Sequence, residues 1–228
     1  MGNKEVFGAN FANAVLKNFN IKYNTIGEVP HERRYIFTSN HPLGGIDSNV
    51  FMSAVGSKNS DLKIIGIEIL TFFKNYGDLI LPVSASGKQK REYHEKISKA
   101  LESKSQILIF PSGSLSRNRG GRILDSDWTP SFIKWSKIYE RDVVPVYFDG
   151  KNSKLFYSLS SIRKKFGIKI NIEQVLLPRE TFLQKGKTFN IVFGRPIPYQ
   201  KFTNEISQKE WASKVYKEVY SLEDLIKK

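Results

Sequence analysis

Tyr35-Ile36-Phe37-Thr38-Ser39-Asn40-His41-Pro42-Leu43-Gly44-Gly45-Ile46-Asp47-Ser48 reads as a strand, a turn and the start of a helix in direct succession. The apolar run Tyr35 to Thr38 is short and is closed by polar residues, as a buried strand would be. Pro42 and the Gly44-Gly45 pair mark the turn. Asp47-Ser48 then supplies residue types that open helices, and an apolar segment runs on to Val55. A strand feeding a helix through a tight turn is the repeating unit of a parallel sheet.

The rest of the chain repeats the alternation. Further short apolar runs lie at Leu62 to Ile67, Leu79 to Val83, Ile107 to Phe110, Val143 to Phe148 and Phe189 to Phe193. Each predicts a strand of a largely buried sheet. Between them lie stretches of helical period, such as Tyr93, Ile97, Ala100 and Leu101 within Lys88 to Ser103. The expectation is a single α/β domain over 1–228, with a mainly parallel central sheet flanked by helices and a C-terminal helix over about 205–227. A length of 228 residues, 40% apolar, suffices for one full core.

Composition narrows the chemistry. There is no cysteine, so disulfides, thiolate metal sites and a cysteine nucleophile are excluded. Only three histidines occur, His31, His41 and His94, without metal-ligand spacing, so no metal site is expected. Lys and Arg number 36 against 22 Asp and Glu, a formal charge of +14, which favours anionic partners. No run approaches the ~20 apolar residues that span a bilayer, and the first residues lack a signal-peptide pattern. The chain reads as soluble or peripheral.

Three more helical stripes carry aromatic residues. Trp128, Phe132, Trp135 and Tyr139 read as core, as do Trp211, Val215, Val219, Leu222 and Ile226. Leu155, Leu159, Ile162 and Phe166 are surrounded by Lys151, Lys154, Arg163, Lys164, Lys165 and Lys169. Such a basic amphipathic helix suits an anionic membrane surface, and an ordinary core stripe with a solvated basic face is the equal alternative.

His94 falls on a polar helix side and His31 in a polar turn, where a solvated histidine is the simpler reading. His41 follows a strand, at the carboxyl end where α/β sheets collect ligands and catalytic groups. A neutral imidazole there can take a proton near pH 7, and Asp47 is the nearest carboxylate to orient it. Helix capping by Asp47 and a turn histidine bonded to backbone are the bland alternatives. A second constellation follows the strand ending at Phe110, in Pro111-Ser112-Gly113-Ser114-Leu115-Ser116-Arg117-Asn118-Arg119-Gly120-Gly121-Arg122. Its small residues and three arginines suit a phosphate or a developing oxyanion, or else form a basic surface loop. No G-x-S-x-G elbow is present, which disfavours a serine hydrolase.

Together these segments resemble the phospholipid and glycerol acyltransferase family, over roughly 34–198. The family's N-H-x4-D, F-P-E-G and V-P motifs are matched in order by Asn40-His41 with Asp47, by Phe110-Pro111-Ser112-Gly113 and by Val143-Val144-Pro145-Val146. The resemblance implies a glycerol-phosphate acyltransferase-like fold and direct transfer of an acyl chain from acyl-CoA or acyl carrier protein to a lysolipid hydroxyl. No further cofactor is implied. His41 would be the general base with Asp47 beside it, and Asn40, Ser112, Gly113, Ser114, Arg117, Arg119 and Arg122 would line the substrate. The departures matter. Five residues, not four, separate His41 from Asp47, and Ser112 replaces the usual Glu. Gly44-Gly45 could absorb the extra residue as a bulged turn. The expected phosphate-binding Arg is absent near Leu79 to Ser84, and Lys88, Lys90 and Arg91 are the nearest replacements. The pattern is similar to a divergent bacterial, hemolysin-like branch that includes amino-acid-lipid O-acyltransferases. The expected partners are therefore the acyl donor, a lysolipid and an anionic membrane, with the protein peripheral on the cytoplasmic side. A nucleic-acid-binding module is the rival that the charge suggests, but the basic residues are spread along the chain with no binding motif. A non-catalytic lipid-binding protein and a lysophospholipase are the others.

Overall fold

Tyr35–Ser39 is buried at every position, the state of a strand with neighbours on both edges and helices on both faces. The computed structural model describes residues 6–84, 89–167 and 171–227. In chain order the elements are α1 (Ala9–Asn18), β1 (Lys22–Ile26), β2 (Tyr35–Ser39), α2 (Gly45–Gly56), β3 (Leu62–Ile67), β4 (Ile80–Val83), α3 (Arg91–Glu102), β5 (Gln106–Ile109), β6 (Arg117–Arg119), β7 (Arg122–Leu124), α4 (Ser131–Tyr139), β8 (Asp142–Phe148), α5 (Lys154–Lys165), α6 (Leu177–Phe182), β9 (Thr188–Phe193) and α7 (Gln208–Ser221). Short 3₁₀ segments connect some of them, notably Glu68–Phe72 and Lys74–Leu79 between β3 and β4.

Seven strands form one sheet in the order β1-β9-β8-β2-β5-β3-β4, and β6 and β7 make a separate hairpin. From β8 to β4 all neighbours are parallel; β9 runs antiparallel to β8 and carries β1 parallel beside it. This is the mainly parallel α/β domain that the alternation predicts, with all six read strands present. The sequence reading passed over β1, because Lys22-Tyr23-Asn24-Thr25-Ile26 is an edge strand with no buried position and so carries no apolar run.

Alternation along β2 divides the core. Phe37 points into the layer of α1 and α2, where it meets Phe51, and Ile36 into the layer of α3, α4 and α7, with Leu101, Phe132 and Val215. The helix α2 lies between the sheet and α1, which is why residues from Asn49 to Val55 are buried without a break. The excursion between β8 and β9, carrying α5 and α6, leaves and re-enters the sheet at the carboxyl end of the parallel strands. There Phe156 and Tyr157 pack with Leu115 of the loop before β6. The loop after β2 lies at that same end.

At the opposite end Arg141, fully buried, ties the layers together. Its guanidinium donates to the carbonyls of Leu101, Tyr35, Ser105, Ala100 and Ser103, closing the C-terminus of α3 against the starts of β2 and β5.

Candidate active site

The turn that carries His41 is pinned from both sides. Asn40 is buried, and its amide donates to the carbonyl of Phe148 at 2.9 Å while accepting the Phe148 N–H at 2.8 Å. That reciprocal pair splices the ends of β2 and β8 and engages the side chain that the family pattern would have line the substrate. His41 follows, half-buried, with Nδ1 3.1 Å from Asp47 Oδ2. Asp47 is buried, and its carboxylate also accepts the Leu43 and Ser48 N–H groups, both at 2.8 Å. A carboxylate in that position makes Nδ1 the donor, so Nε2 is the nitrogen with a lone pair to offer.

The five-residue spacing is accommodated at Gly44, whose φ of +89° lies in the left-handed region. A side chain there would also press on Leu115, with its Cβ 3.3 Å from the Leu115 methyl. The turn bulges at this glycine, and α2 begins immediately after it, with Asp47 in its first turn. The helix dipole favours a negative charge there, so relay geometry and first-turn placement coexist.

Phe110 gives the imidazole a floor. The two rings stack with centroids 3.9 Å apart and planes 21° from parallel. The first and third motifs thus meet through a ring stack that limits rotation of His41. Beyond Phe110 the loop folds on itself: Ser112 Oγ donates to the Ser114 carbonyl at 2.7 Å, Ser114 Oγ and Ser126 Oγ lie 3.3 Å apart, and Gly113 takes a φ of +62°. Ser116 donates its N–H to the His41 carbonyl at 2.8 Å, which joins this loop to the histidine turn.

The arginines fare differently from one another. Arg117 is buried; its guanidinium donates to Glu173 Oε1 at 2.8 and 3.1 Å and lies over the Phe156 ring. Arg163 reaches the other oxygen of the same carboxylate at 2.9 Å. Burial pushes the Glu173 pKa up, but a backbone hydrogen bond, those from Arg117 and the two guanidinium charges more than offset this and hold it below the usual carboxylate range. Arg117 therefore serves an internal ion triad and offers no open cation to a ligand. Arg119 and Arg122 are exposed on the hairpin, with Arg122 3.6 Å from Glu223. Arg91 is exposed at the start of α3, paired with Glu95, and belongs to the β4 edge of the sheet, three strand positions from β2 and so roughly 14 Å away. Lys88 lies outside the described residues.

Sequence reading missed Asp125 and Asn152. Asp125 is buried and accepts the His41 backbone N–H at 3.2 Å. Asn152 donates to the carbonyl of Pro42 at 3.0 Å. Asp125 lies just past the glycine- and arginine-rich loop and Asn152 just past β8, but nothing in the local sequence marks either as a partner of the histidine turn.

The stripe on α5 is decided by the structure. Leu155, Ile162 and Phe166 are exposed, and the face turned inward is Phe156, Tyr157, Ser160 and Arg163. The apolar stripe is thus not core. Val175, Phe182 and Leu183 are exposed as well, as are Ile67 at the end of β3 and Ile69, Phe72 and Phe73 just after it. Among the described residues no helix is long and apolar enough to cross a membrane.

The family model described as "Acyltransferase" matches residues 3–227. The chain is 35% identical over 222 residues to the lyso-glycine lipid O-acyltransferase of Bacteroides thetaiotaomicron, covering 96% of this chain and 82% of that protein. It is 33% identical to the lyso-glycine lipid O-acyltransferase of Phocaeicola vulgatus, covering 96% and 80%. Among solved structures it is similar to that of the 1-acyl-sn-glycerophosphate (LPA) acyltransferase PlsC from Thermotoga maritima. The TM-score is 0.59 over 96% of this chain and 78% of that one, at 14% identity, a likeness of fold.

Proposed function

This chain belongs to the acyltransferase family and is an acyltransferase, and from that premise we propose that it O-acylates a lyso amino-acid lipid, with His41 as general base. The observation that carries the reading is the His41–Asp47 pair, 3.1 Å apart and stacked on Phe110 at the carboxyl end of the sheet. Two relatives named as lyso-glycine lipid O-acyltransferases, each covered over most of its length, support the acceptor class. In the proposed reaction His41 Nε2 takes the proton of the acceptor hydroxyl as its oxygen attacks the thioester carbonyl of acyl-CoA or acyl carrier protein. The carbon–sulfur bond breaks, and the imidazolium returns the proton to the departing thiolate. Asp47 holds the ring and stabilises its protonated form. No acyl-enzyme is needed, in keeping with the absence of cysteine.

The same end of the molecule supports peripheral attachment to the cytoplasmic face of a membrane. Phe72, 81% exposed, on one flank and Phe166, 73% exposed, on the other present apolar side chains to the outside. Lys151, Lys154, Lys165 and Arg179 stand exposed beside the second flank. Apolar side chains among cations suit an anionic bilayer, which would deliver the lysolipid to His41 from the side on which acyl donors are found. In this reading Arg119 and Arg122, exposed on the hairpin, would meet an acidic headgroup.

The test is direct. Purified protein is incubated with lyso-glycine lipid in vesicles and either acyl-CoA or acyl carrier protein as donor, and products are read by mass spectrometry. The expected product is the diacylated lipid, dependent on His41. Release of free fatty acid without an acylated acceptor, or transfer that ignores His41, overturns the reading.

A further inference from the structure

Asp125 is 2% exposed, and its carboxylate accepts three hydrogen bonds from three separate parts of the chain. Oδ1 takes the His41 backbone N–H at 3.2 Å and the Ser116 hydroxyl at 2.5 Å; Oδ2 takes the Trp128 indole N–H at 2.9 Å. Ser116 returns its own N–H to the His41 carbonyl. Both backbone polar groups of His41 thus belong to one closed ring of hydrogen bonds, whose only charged member is Asp125. From α7, Tyr220 accepts the Asp125 N–H at 2.8 Å and Tyr216 Oη lies 3.5 Å from its carbonyl.

Resting on the reading of His41 as the base, we propose that Asp125 is a positioning residue for acyl transfer. It fixes the His41 backbone against Ser116 and sets a second buried negative charge beside the imidazolium that forms. Asp47 governs the ring and Asp125 the backbone that carries it.

Three facts support this over a role in packing alone. The carboxylate meets donors only, and an amide in its place would turn an NH₂ toward one of them. Its bond goes to the base residue itself, where a displacement of about 1 Å is enough to cost a hundredfold in rate. The groups facing Asp125 are His41 from its turn, Ser116, Trp128, and Tyr216 and Tyr220 from α7, with Arg119 and Asp127 acting on Tyr216 from farther out. Of these, Ser116, Trp128 and His41 favour a charge on the carboxylate: burial raises the Asp125 pKa, and their hydrogen bonds, with the charge on His41, oppose that rise without cancelling it.

The test uses Asp125→Asn, Trp128→Phe and the double variant in the full chain. Acyl-transfer kinetics, pH dependence and thermal melting are measured on the same preparations. Asp125→Asn is expected to lower kcat by about 10- to 100-fold while the acceptor KM stays within about threefold. Asp125 and His41 are coupled electrostatically, so with the negative charge gone the acid limb of kcat/KM is expected to move to lower pH. Adding Trp128→Phe removes the donor that the new amide would face. The double variant should recover much of kcat and keep the displaced limb, a pattern that packing alone does not produce. A folded Asp125→Asn protein with wild-type kcat and pH profile overturns the proposal, as does a lower melting temperature with unchanged kcat per folded molecule. Should Asp125→Asn fail to fold, Ser116→Ala opens the ring more gently, with roughly three- to tenfold lower kcat expected and an unchanged kcat overturning it. His41→Ala separates the premises. If it retains activity, the reading of His41 has failed; if it is inactive while Asp125→Asn is not, the role of Asp125 alone has failed.

Discussion

The two ends of the sheet hold a nitrogen-bearing side chain in opposite ways. At the amino end Arg141 gives its guanidinium to five carbonyls and has nothing left to offer a ligand. At the carboxyl end His41 is held by Asp47 through one ring nitrogen, by Phe110 through its face, and by Asp125 and Ser116 through its backbone. Its second ring nitrogen is not used in that framework. One centre is saturated and the other is incomplete by one bond. A saturated polar centre stabilises the fold, whereas a rigid one with an unused lone pair is equipped to act on a substrate.

The sharpest way to break this contrast is to remove each centre and ask what is lost. His41→Ala should reduce acyl transfer by roughly 10² to 10⁴, the usual contribution of a general base. Circular dichroism should stay near wild type and the melting temperature should fall only modestly, because Asp47 keeps the Leu43 and Ser48 N–H donors when the half-buried ring is removed. Transfer at the wild-type rate by the folded variant would end the proposed mechanism.

Arg141→Met should do the reverse. It strands up to five buried carbonyls, so a loss of about 3–5 kcal/mol is expected, with water entering to limit the damage. For a chain of this size that corresponds to a melting temperature lower by roughly 10–15 °C. Turnover per folded molecule should be unchanged at low temperature. A variant that melts normally but transfers slowly would erase the distinction between the two ends.

How far the sequence could reveal either centre depends on the range of the interactions. The strand, turn and helix around His41 are consecutive, so strand end, histidine, glycine bulge and acid could be read together, and the motif order pointed to the family. Asp125 joins His41 across 84 positions, and Arg141 joins Leu101 across 40, which no local pattern records. Arg117 shows the same limit from the other side. Its place after a glycine turn suggested an open cation, but the partner that neutralises it, Glu173, lies 56 residues away. Even the α5 stripe, correctly seen as periodic, could not say which face was inward until Arg163 was found buried with that carboxylate.

The Arg117–Glu173–Arg163 triad tests whether a saturated ionic centre can also exist at the carboxyl end of the sheet. Glu173→Gln leaves two buried guanidinium groups without their counter-ion, and a cost of roughly 3–5 kcal/mol at neutral pH is the scale for breaking a buried pair. The pH dependence supplies the check. Because the folded-state pKa of Glu173 is depressed, its stabilisation is fully present above the unfolded value of about 4.3 and is lost as pH falls through the folded value. Urea unfolding of wild type and variant should differ most near neutrality and converge in acid. A gap that stays constant down to the lowest pH at which the proteins fold would show that the carboxylate charge is not what the triad needs.

The smallest expected effect concerns the outer surface of the carboxyl end, where the contrast becomes one of exposure. Phe166 and Ile162 project from α5 away from the core, so replacing them with Ser should leave folding intact to within about 0.5 kcal/mol, as for exposed sites generally. If these side chains seat in a bilayer, each removes apolar surface from water on binding, worth at most about 1.5–3 kcal/mol for full burial and less for partial insertion. Lys154 and Lys165 beside them add about 1 kcal/mol each near an anionic surface, and that part is screened by salt. Vesicle flotation should therefore show weaker binding by Ile162→Ser/Phe166→Ser at every salt concentration, and weaker binding by Lys154→Gln/Lys165→Gln chiefly at low salt. Transfer to a lysolipid dispersed in detergent, which needs no bilayer, should be nearly unchanged in both. If the apolar pair binds vesicles like wild type, the α5 surface is not the membrane seat, and the exposed Phe72 and Phe73 beyond β3 become the segment to replace next.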